Sequence, residues 1–248
     1  LMKFFLKNKL DKPDVVFFDL DNTIYDYNSA HTFAMNQVGF YFFKKHNLSK
    51  KKFFFFFKKA KKLIKNQLGK TASSHNRLIY FQKLFEIMNL DSQIKSTLKL
   101  EELYWKFFLK KAYLFSGLLN FLKYLKKKNI PTGIITDLTS QIQFKKIKYF
   151  KIDKYFSNIT TSEESIFDKP KKKIFIIAKK KFKKTKNIWM IGDSLLCDIK
   201  GSKEAINAVT FHKAKNTYPK YKNIKPDFSF KNYVEINYFF NNLINDAK

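Results

Sequence analysis

Short apolar runs that end at a polar residue are the feature that most limits what this chain can fold into. Runs of four to seven residues, apolar at nearly every position, are typical of strands buried on both faces of a parallel sheet. Three runs are strong candidates for such strands and two are weaker, in the order Val15–Phe18, Ile130–Thr136, Ile188–Ile191, Asn158–Thr161 and Ala208–Phe211.

Helical stripes of leucine, isoleucine and phenylalanine lie between these runs. One stripe consists of Leu118, Leu119, Leu122 and Leu125, with lysines on the opposite face. Strands that alternate with helices of this length predict βαβ units. We therefore expect an α/β fold with a Rossmann-like parallel sheet flanked by helices, and sheets of this kind bind ligands at the carboxyl ends of their strands.

The stretch 27–113 differs because it contains helical stripes and no convincing strand. One stripe is Phe53, Phe57, Ala60 and Ile64, within a lysine-flanked run of five phenylalanines. An interfacial membrane helix is one interpretation of that run, and a helix with its phenylalanines packed inward is the favoured one. The predicted organisation is a discontinuous core, 1–26 and 114–248, with an all-helical insertion after the first strand.

Charge and composition set further bounds. The formal net charge is +30, and only one of the 50 basic residues is an arginine. A basic surface for nucleic acid is the alternative function, that of a non-catalytic binding protein. Codon bias toward lysine, phenylalanine, isoleucine and asparagine is the favoured explanation, so we expect no specific nucleic-acid partner. No apolar run reaches the roughly 18 residues of a membrane span, which favours a cytoplasmic protein.

Acidic residues follow two of the predicted strands. Asp19 and Asp21 come directly after the first, and Asp193 and Asp198 follow the Ile188–Ile191 run through Gly192. If the strand ends are neighbours, up to four carboxylates converge, and they repel one another unless a cation is bound. Oxygen ligands alone favour Mg²⁺ or Ca²⁺. Two further residues are placed to contribute a hydroxyl and a positive charge, Thr136 and Lys169.

These pieces together resemble the haloacid dehalogenase-like hydrolase superfamily. Its four motifs, in order, are matched by Asp19-x-Asp21-x-Thr23, by Ile134-Ile135-Thr136, by Lys169-Pro170, and by Gly192-Asp193 with Asp198. Two positions depart from the family, in which glycine is common where this chain has Ile166 and Asn207. Asparagine tolerates a left-handed backbone, so the second departure is mild.

The resemblance implies a Mg²⁺-dependent phosphatase. Asp19 would be the nucleophile that forms an aspartyl-phosphate, and Asp21 the acid and base, which relatives that cleave carbon–halogen bonds lack. Thr136 and Lys169 would hold the phosphoryl oxygens. Mg²⁺ would be bound by Asp19, the Asp21 carbonyl and Asp193, with Asp198 in support. The insertion would be a cap over the site that selects the substrate, a small phosphorylated metabolite such as a sugar phosphate or a nucleoside monophosphate.

Three further residues are predicted to bind substrate. Arg77 is the only arginine of a chain that uses lysine everywhere else, and a planar fork that grips an anion through two hydrogen bonds cannot be replaced by lysine. His75 lies beside it in the same polar cluster. Asp137, next to Thr136, would contact substrate through its backbone N–H. The alternative for Arg77 is a structural role in an ion pair.

Overall fold

The structure is a computed structural model that describes residues 3–4, 10–90, 93–214 and 223–245. By their mutual contacts these residues form two compact units. One unit, called the core below, combines the segment up to Asp26 with the segment from Tyr113 onward. The other unit, called the helical insertion, is Tyr27–Ala112.

The elements are numbered along the chain. The strands are β1 (Lys3–Phe4), β2 (Val15–Phe18), β3 (Thr132–Thr136), β4 (Asn158–Thr161), β5 (Ile188–Gly192), β6 (Val209–Lys213) and β7 (Phe228–Phe230). The α-helices of the insertion are α1 (Tyr27–His46), α2 (Lys50–Leu68), α3 (Arg77–Ile87) and α4 (Gln93–Lys111). Those of the core are α5 (Leu118–Lys127), α6 (Ser140–Phe150), α7 (Ser162–Ser165), α8 (Lys172–Lys180), α9 (Gly201–Ile206) and α10 (Tyr233–Asn245).

All seven strands form one sheet in the order β1-β7-β6-β5-β2-β3-β4. Every neighbouring pair from β7 to β4 is parallel, and β1 pairs antiparallel with β7 at the edge. The predicted α/β class with a parallel sheet and flanking helices is confirmed. β3 begins at Thr132, two residues later than the predicted start at Ile130. β6 is Val209–Lys213, where the sequence predicts Ala208–Phe211.

The sheet is covered on both faces, which is why its central strands are apolar throughout. All four residues of β2 are at most 1% exposed. Phe17 packs in a cluster with Ile174 and Phe175 of α8. Its neighbour Phe18 points to the opposite face, where its ring lies 6.1 Å from that of Phe121 in α5. The continuous apolar run therefore reflects burial from two sides.

The prediction that Leu119 belongs to the buried stripe of α5 is wrong. Leu119 is 41% exposed, whereas Leu118, Phe121, Leu122 and Leu125 are buried. Phe121 lies three residues after Leu118 and four before Leu125, so it continues the buried face of a helix with 3.6 residues per turn.

The helical insertion has its own aromatic interior. The predicted α2 stripe is buried at all four positions, and the Phe53 ring lies 5.1 Å from that of Phe42 in α1. Phe55, on the opposite face of α2, is 65% exposed. The lysine-flanked phenylalanine run is thus mainly a packing face of this unit. No helix within the described ranges is long and apolar enough to cross a lipid bilayer.

Candidate active site

The candidate site lies at the carboxyl ends of three adjacent strands, β5, β2 and β3. Phe18, the last residue of β2, pairs with Ile191 on one side and with Ile134 on the other, so the three strands end within two residues of one another. Asp19 follows β2, Asp193 follows β5, and Thr136 is the last residue of β3. This register brings together side chains that are more than a hundred residues apart in the chain.

The Asp19 carboxylate is buried and held by two donors. Its Oδ1 accepts a hydrogen bond of 2.6 Å from Lys169 Nζ, and its Oδ2 accepts one of 2.7 Å from Thr23 Oγ1. Burial raises the pKa of Asp19 to about 6, and the Lys169 ammonium offsets part of that rise. The carboxylate is thus fixed in one orientation and is ionised above that pH.

Lys169 is the cation of the site. Its ammonium donates to Asp19 Oδ1, to Asp198 Oδ1 at 2.7 Å and to the Ile135 carbonyl at 3.1 Å, and the residue is 4% exposed. Burial disfavours the charged ammonium, but the neighbouring carboxylates outweigh burial and raise the pKa of Lys169 well above its ordinary value. Lys169 therefore carries a permanent positive charge.

Asp198 returns to the strand ends through the π-helical segment Leu195–Lys200. Its Oδ1 accepts from Lys169, and its Oδ2 accepts from the Ser194 backbone N–H at 2.9 Å. Glycine is required at position 192 because a Cβ there would lie 2.3 Å from the Asp198 Cβ. This close approach explains a glycine that the chain keeps despite having only six.

Three carboxylates at this site have the donor chemistry of a divalent-cation site. Asp19, Asp193 and Asp198 each offer an oxygen, and these oxygens lie within 4.8 Å of one another. An oxygen-only set suits Mg²⁺ or Ca²⁺ and not the softer transition metals. Both Asp198 oxygens accept hydrogen bonds, as both Asp19 oxygens do, so the supporting role of Asp198 stays a prediction.

The Asp21 carboxylate is not among the three that lie within 4.8 Å of one another, so three of the up to four carboxylates expected from the sequence converge. Its Oδ1 lies 2.8 Å from Lys146 Nζ and also accepts from the Tyr25 hydroxyl. Its Oδ2 lies 3.0 Å from the same ammonium. The opposite charge on α6 therefore holds the Asp21 carboxylate through both of its oxygens.

Thr136 and Asp137 are linked to the same loop as the site lysine. Thr136 Oγ1 accepts a hydrogen bond of 2.6 Å from Gln143 Nε2, which also donates to the Asp137 carbonyl at 2.7 Å. Asp137 Oδ1 accepts from the Lys169 backbone N–H at 2.9 Å, and burial raises the pKa of Asp137 to about 6. The Asp137 side chain thus anchors the Lys169 loop. Its predicted contact with substrate stays a prediction.

Arg77 and His75 lie in the helical insertion. Arg77 is 8% exposed; its Nη1 donates to the His75 carbonyl at 2.6 Å and its Nη2 to the Tyr27 hydroxyl. The guanidinium carbon lies 5.3 Å from the centre of the Tyr104 ring, and the buried Nε has no partner among the described residues. The contact made by His75 here is through its backbone. Substrate binding by either side chain stays a prediction.

Both departures from the family pattern take a left-handed backbone. Ile166 has φ of 76° and Asn207 has φ of 52°. Asn207 ends α9 in the conformation that asparagine tolerates, as expected. Ile166, which is 56% exposed, has its positive φ although β-branched residues rarely adopt one. This loop of the chain therefore has a positive φ at a β-branched residue.

The sequence matches the family model described as haloacid dehalogenase-like hydrolase over residues 13–205. It is also similar to two curated proteins. A ribulose-1,5-bisphosphate 5-phosphatase from Halopiger xanaduensis is 29% identical over 195 residues, covering 75% of this chain and 79% of the relative. A glyceraldehyde 3-phosphate phosphatase from Pyrococcus furiosus is 35% identical over 112 residues, 45% of this chain and 44% of the relative.

Solved structures with similar folds cover almost the whole chain. The candidate HAD-hydrolase YfnB from Bacillus subtilis, bound to magnesium, aligns over 93% of this chain and all of its own, with TM-score 0.69 and 23% identity. A HAD phosphatase from Thermococcus onnurineus aligns over 91% and 97% of the two chains, with TM-score 0.62 and 20% identity. At these identities the likeness bears on the fold alone.

Proposed function

This chain belongs to the haloacid dehalogenase-like hydrolases and is a phosphoric monoester hydrolase, and we propose that it releases phosphate from a sugar phosphate by way of an aspartyl-phosphate on Asp19. The observation that carries the proposal is the Asp19 carboxylate itself. It is buried at a strand end, oriented by Thr23, and paired with the permanent charge of Lys169.

In the first step an Asp19 oxygen attacks the phosphorus of the substrate. The new bond joins that oxygen to phosphorus, the bond from phosphorus to the sugar oxygen breaks, and the Asp21 carboxyl gives its proton to the leaving sugar oxygen. Lys169 and Thr136 offset and orient the charge on the phosphoryl oxygens, and in phosphoryl transfer positioning and electrostatics supply most of the rate.

In the second step water hydrolyses the aspartyl-phosphate. The Asp21 carboxylate takes a proton from the attacking water, the bond between Asp19 and phosphorus breaks, and inorganic phosphate leaves. Asp21 regains the proton that it gave up in the first step, so the cycle closes. One carboxyl group serves as acid and then as base, which is the reason to keep it beside the nucleophile.

We propose that Asp19 and Asp193 hold Mg²⁺ together with the Asp21 carbonyl, and that Asp198 supports it. When bound, a divalent cation offsets the negative charge of the phosphoryl group and orients it. The oxygen-only donors within 4.8 Å of one another support this assignment, and the similar B. subtilis structure was solved bound to magnesium.

The substrate class is proposed from the names of the two curated relatives. Ribulose-1,5-bisphosphate at its 5-position and glyceraldehyde 3-phosphate share one chemical unit, a phosphate on a terminal carbon next to a hydroxyl-bearing carbon. Of the two classes considered from the sequence, this unit favours the sugar phosphates over nucleoside monophosphates.

A substrate panel tests the proposal. Purified protein is assayed for phosphate release from terminal sugar phosphates, nucleoside monophosphates and p-nitrophenyl phosphate, with Mg²⁺ and after chelation with EDTA. We expect terminal sugar phosphates to have the highest kcat/KM and chelation to reduce every rate to background. Undiminished rates in EDTA would contradict the metal assignment, and a preference for nucleotides would contradict the substrate class.

For Arg77 we propose a role in binding an anionic group of the substrate, as its isolation among lysines predicts. Its environment supports this role. No carboxylate among the described residues pairs with Arg77, and a buried cation without one costs folding free energy. Arg77 is also the first residue of α3, where a positive charge opposes the helix dipole. Arg77 therefore lacks the carboxylate partner that the ion-pair alternative requires, and the Tyr27 hydroxyl and the His75 carbonyl hold the guanidinium instead.

Replacing Arg77 with lysine tests this role. Lysine keeps the charge and loses the planar fork, so we expect kcat/KM for the best sugar phosphate to fall about tenfold, or roughly 1.4 kcal/mol of transition-state binding. p-Nitrophenyl phosphate has no anionic group besides the phosphate that is removed, so its kcat/KM should fall much less. Equal losses on both esters, measured alongside the thermal midpoint of unfolding, would indicate the structural alternative instead.

A further inference from the structure

Lys146 is a buried lysine that no sequence motif singles out. Among the described residues only three lysines are buried, Lys146, Lys169 and Lys213. Lys169 belongs to the site described above. The Lys146 side chain, on α6, is 1% exposed, and its ammonium lies 2.8 Å and 3.0 Å from the two oxygens of the Asp21 carboxylate.

Tyr25 holds the same carboxylate from a second direction. Tyr25 is fully buried, and its hydroxyl donates to Asp21 Oδ1. The backbones of Asp21 and Tyr25 are also paired in a β-bridge, and the Lys146 ammonium lies 5.8 Å from the centre of the Tyr25 ring. Tyr25 and Lys146, called the Asp21 clamp below, therefore fix both the backbone and the side chain of Asp21.

The clamp makes the two carboxylate oxygens unequal. A carboxylate has about two acceptor positions on each oxygen. Oδ1 accepts from both members of the clamp, whereas Lys146 is the one donor to Oδ2 among the described residues. The Asp21 side chain is 28% exposed, in contrast to the buried ammonium that holds it. Oδ2 is thus the oxygen with an acceptor position left for a proton.

We propose that Lys146 is a positioning residue for the phosphatase reaction: with Tyr25 it holds the Asp21 carboxylate in one orientation, in which Oδ2 exchanges the proton with the leaving oxygen and then with water. This inference rests on the proposed acid and base role of Asp21. The ion pair with Asp21 offsets part of the free-energy cost of taking the Lys146 ammonium out of water. The positioning of Asp21 is then the functional reason for a buried lysine at this place.

The test compares two esters that differ in their need for a proton. A sugar leaves as a strongly basic alkoxide unless it is protonated, whereas p-nitrophenolate is stable without a proton. In Lys146→Met and Lys146→Gln we expect kcat/KM for the sugar phosphate to fall by about tenfold to a hundredfold, the range in which misplaced acid catalysis costs rate. The kcat/KM for p-nitrophenyl phosphate should fall by less than about a third of that factor, because kcat/KM reports the steps up to release of the alcohol and not the later attack of water.

The ratio of the two rates separates positioning from damage to the fold, because p-nitrophenyl phosphate reports the fraction of intact site in the same sample. Lys146→Arg should recover part of the sugar phosphate rate. Lys145→Met, at an exposed neighbouring position on α6, is the matched control and should leave both rates unchanged.

Two results would overturn the inference. If the Lys146 variants lose both rates equally, or neither, Lys146 does not position Asp21, and the phosphatase assignment stands on the wild-type rates. If the wild-type protein hydrolyses neither ester in Mg²⁺, the proposed function fails and the role of Lys146 fails with it.

Discussion

Asp19→Asn is expected to abolish phosphatase activity while the protein stays folded. An amide oxygen is too weak a nucleophile to form the covalent intermediate, so kcat should fall by at least about a thousandfold, as for other catalytic nucleophiles. The fold should persist because asparagine has the same shape. The asparagine carbonyl can accept from Lys169. Its NH₂ can donate to Thr23 Oγ1, which in the wild-type protein is the donor to Asp19.

Three measurements make this test specific. The thermal midpoint of unfolding checks the fold, and acid quenching with radiolabelled substrate checks the covalent phosphoenzyme, which should be absent in the variant. Asp14→Asn is the matched control: the same chemical change five residues earlier, at an exposed carboxylate that accepts from the Lys186 and Asn187 backbones. Activity near wild type in a folded Asp19→Asn protein would exclude the aspartyl-phosphate mechanism.

The central sheet could be predicted from the sequence because its strands are buried on both faces. A run such as Val15–Phe18 is apolar at every position because all four residues are buried. The polar residue that follows it marks the end of the strand. The edge was not predictable in the same way. Phe228–Phe230 and Lys3–Phe4 have three and two residues, too few for any hydrophobic period to be recognised.

The positions of the site residues along the sheet were predictable, but the partners of their side chains were not. The parallel βαβ pattern predicts that the strand ends share one edge of the sheet, and the observed strand order makes the strands before Asp19 and Asp193 neighbours. The Asp21 partner is different. Lys146 is 125 residues away on a helix with several lysines, and nothing in the sequence shows which of them is turned inward. Gln143 and its bond to Thr136 could not be predicted for the same reason.

Rarity was a better signal than motif for one residue. Arg77 belongs to none of the four family motifs, but it stood out as the only arginine. Its burial against Tyr27 and Tyr104 shows that it has a demanding environment. Composition could not indicate whether that environment serves substrate or packing, because both keep an arginine from being replaced by lysine.

Lys169→Met is expected to remove activity and also to destabilise the protein. The variant has no positive charge to offset the phosphoryl group, which should lower kcat/KM by about a hundredfold or more. It also leaves the Asp19 and Asp198 carboxylates buried without their partner. Breaking a buried ion pair costs about 3 kcal/mol or more, which for a chain of this size lowers the thermal midpoint by about 6–12 °C.

The pH dependence of this loss follows from the carboxylates. Burial already raises the pKa of Asp19 from 3.8 to about 6 in the presence of Lys169, and without that ammonium it must rise further. A carboxyl group that binds its proton more tightly in the folded than in the unfolded state loses its stabilising contribution as pH rises through the folded pKa. Lys169→Met should therefore be close to wild-type stability near pH 4 and fall behind it steadily above pH 6.

Unfolding midpoints at pH 5 and pH 8, each with EDTA or Mg²⁺, measure this expectation. Mg²⁺ should raise the midpoint of Lys169→Met at pH 8 more than that of the wild type, because a cation that binds the folded state stabilises it by mass action and the variant has lost its competing charge. Lys171→Met, at an exposed lysine two residues away, should show none of these effects. A deficit that is independent of both pH and Mg²⁺ would mean that Lys169 stabilises the fold by packing, not by balancing the charge of the three carboxylates.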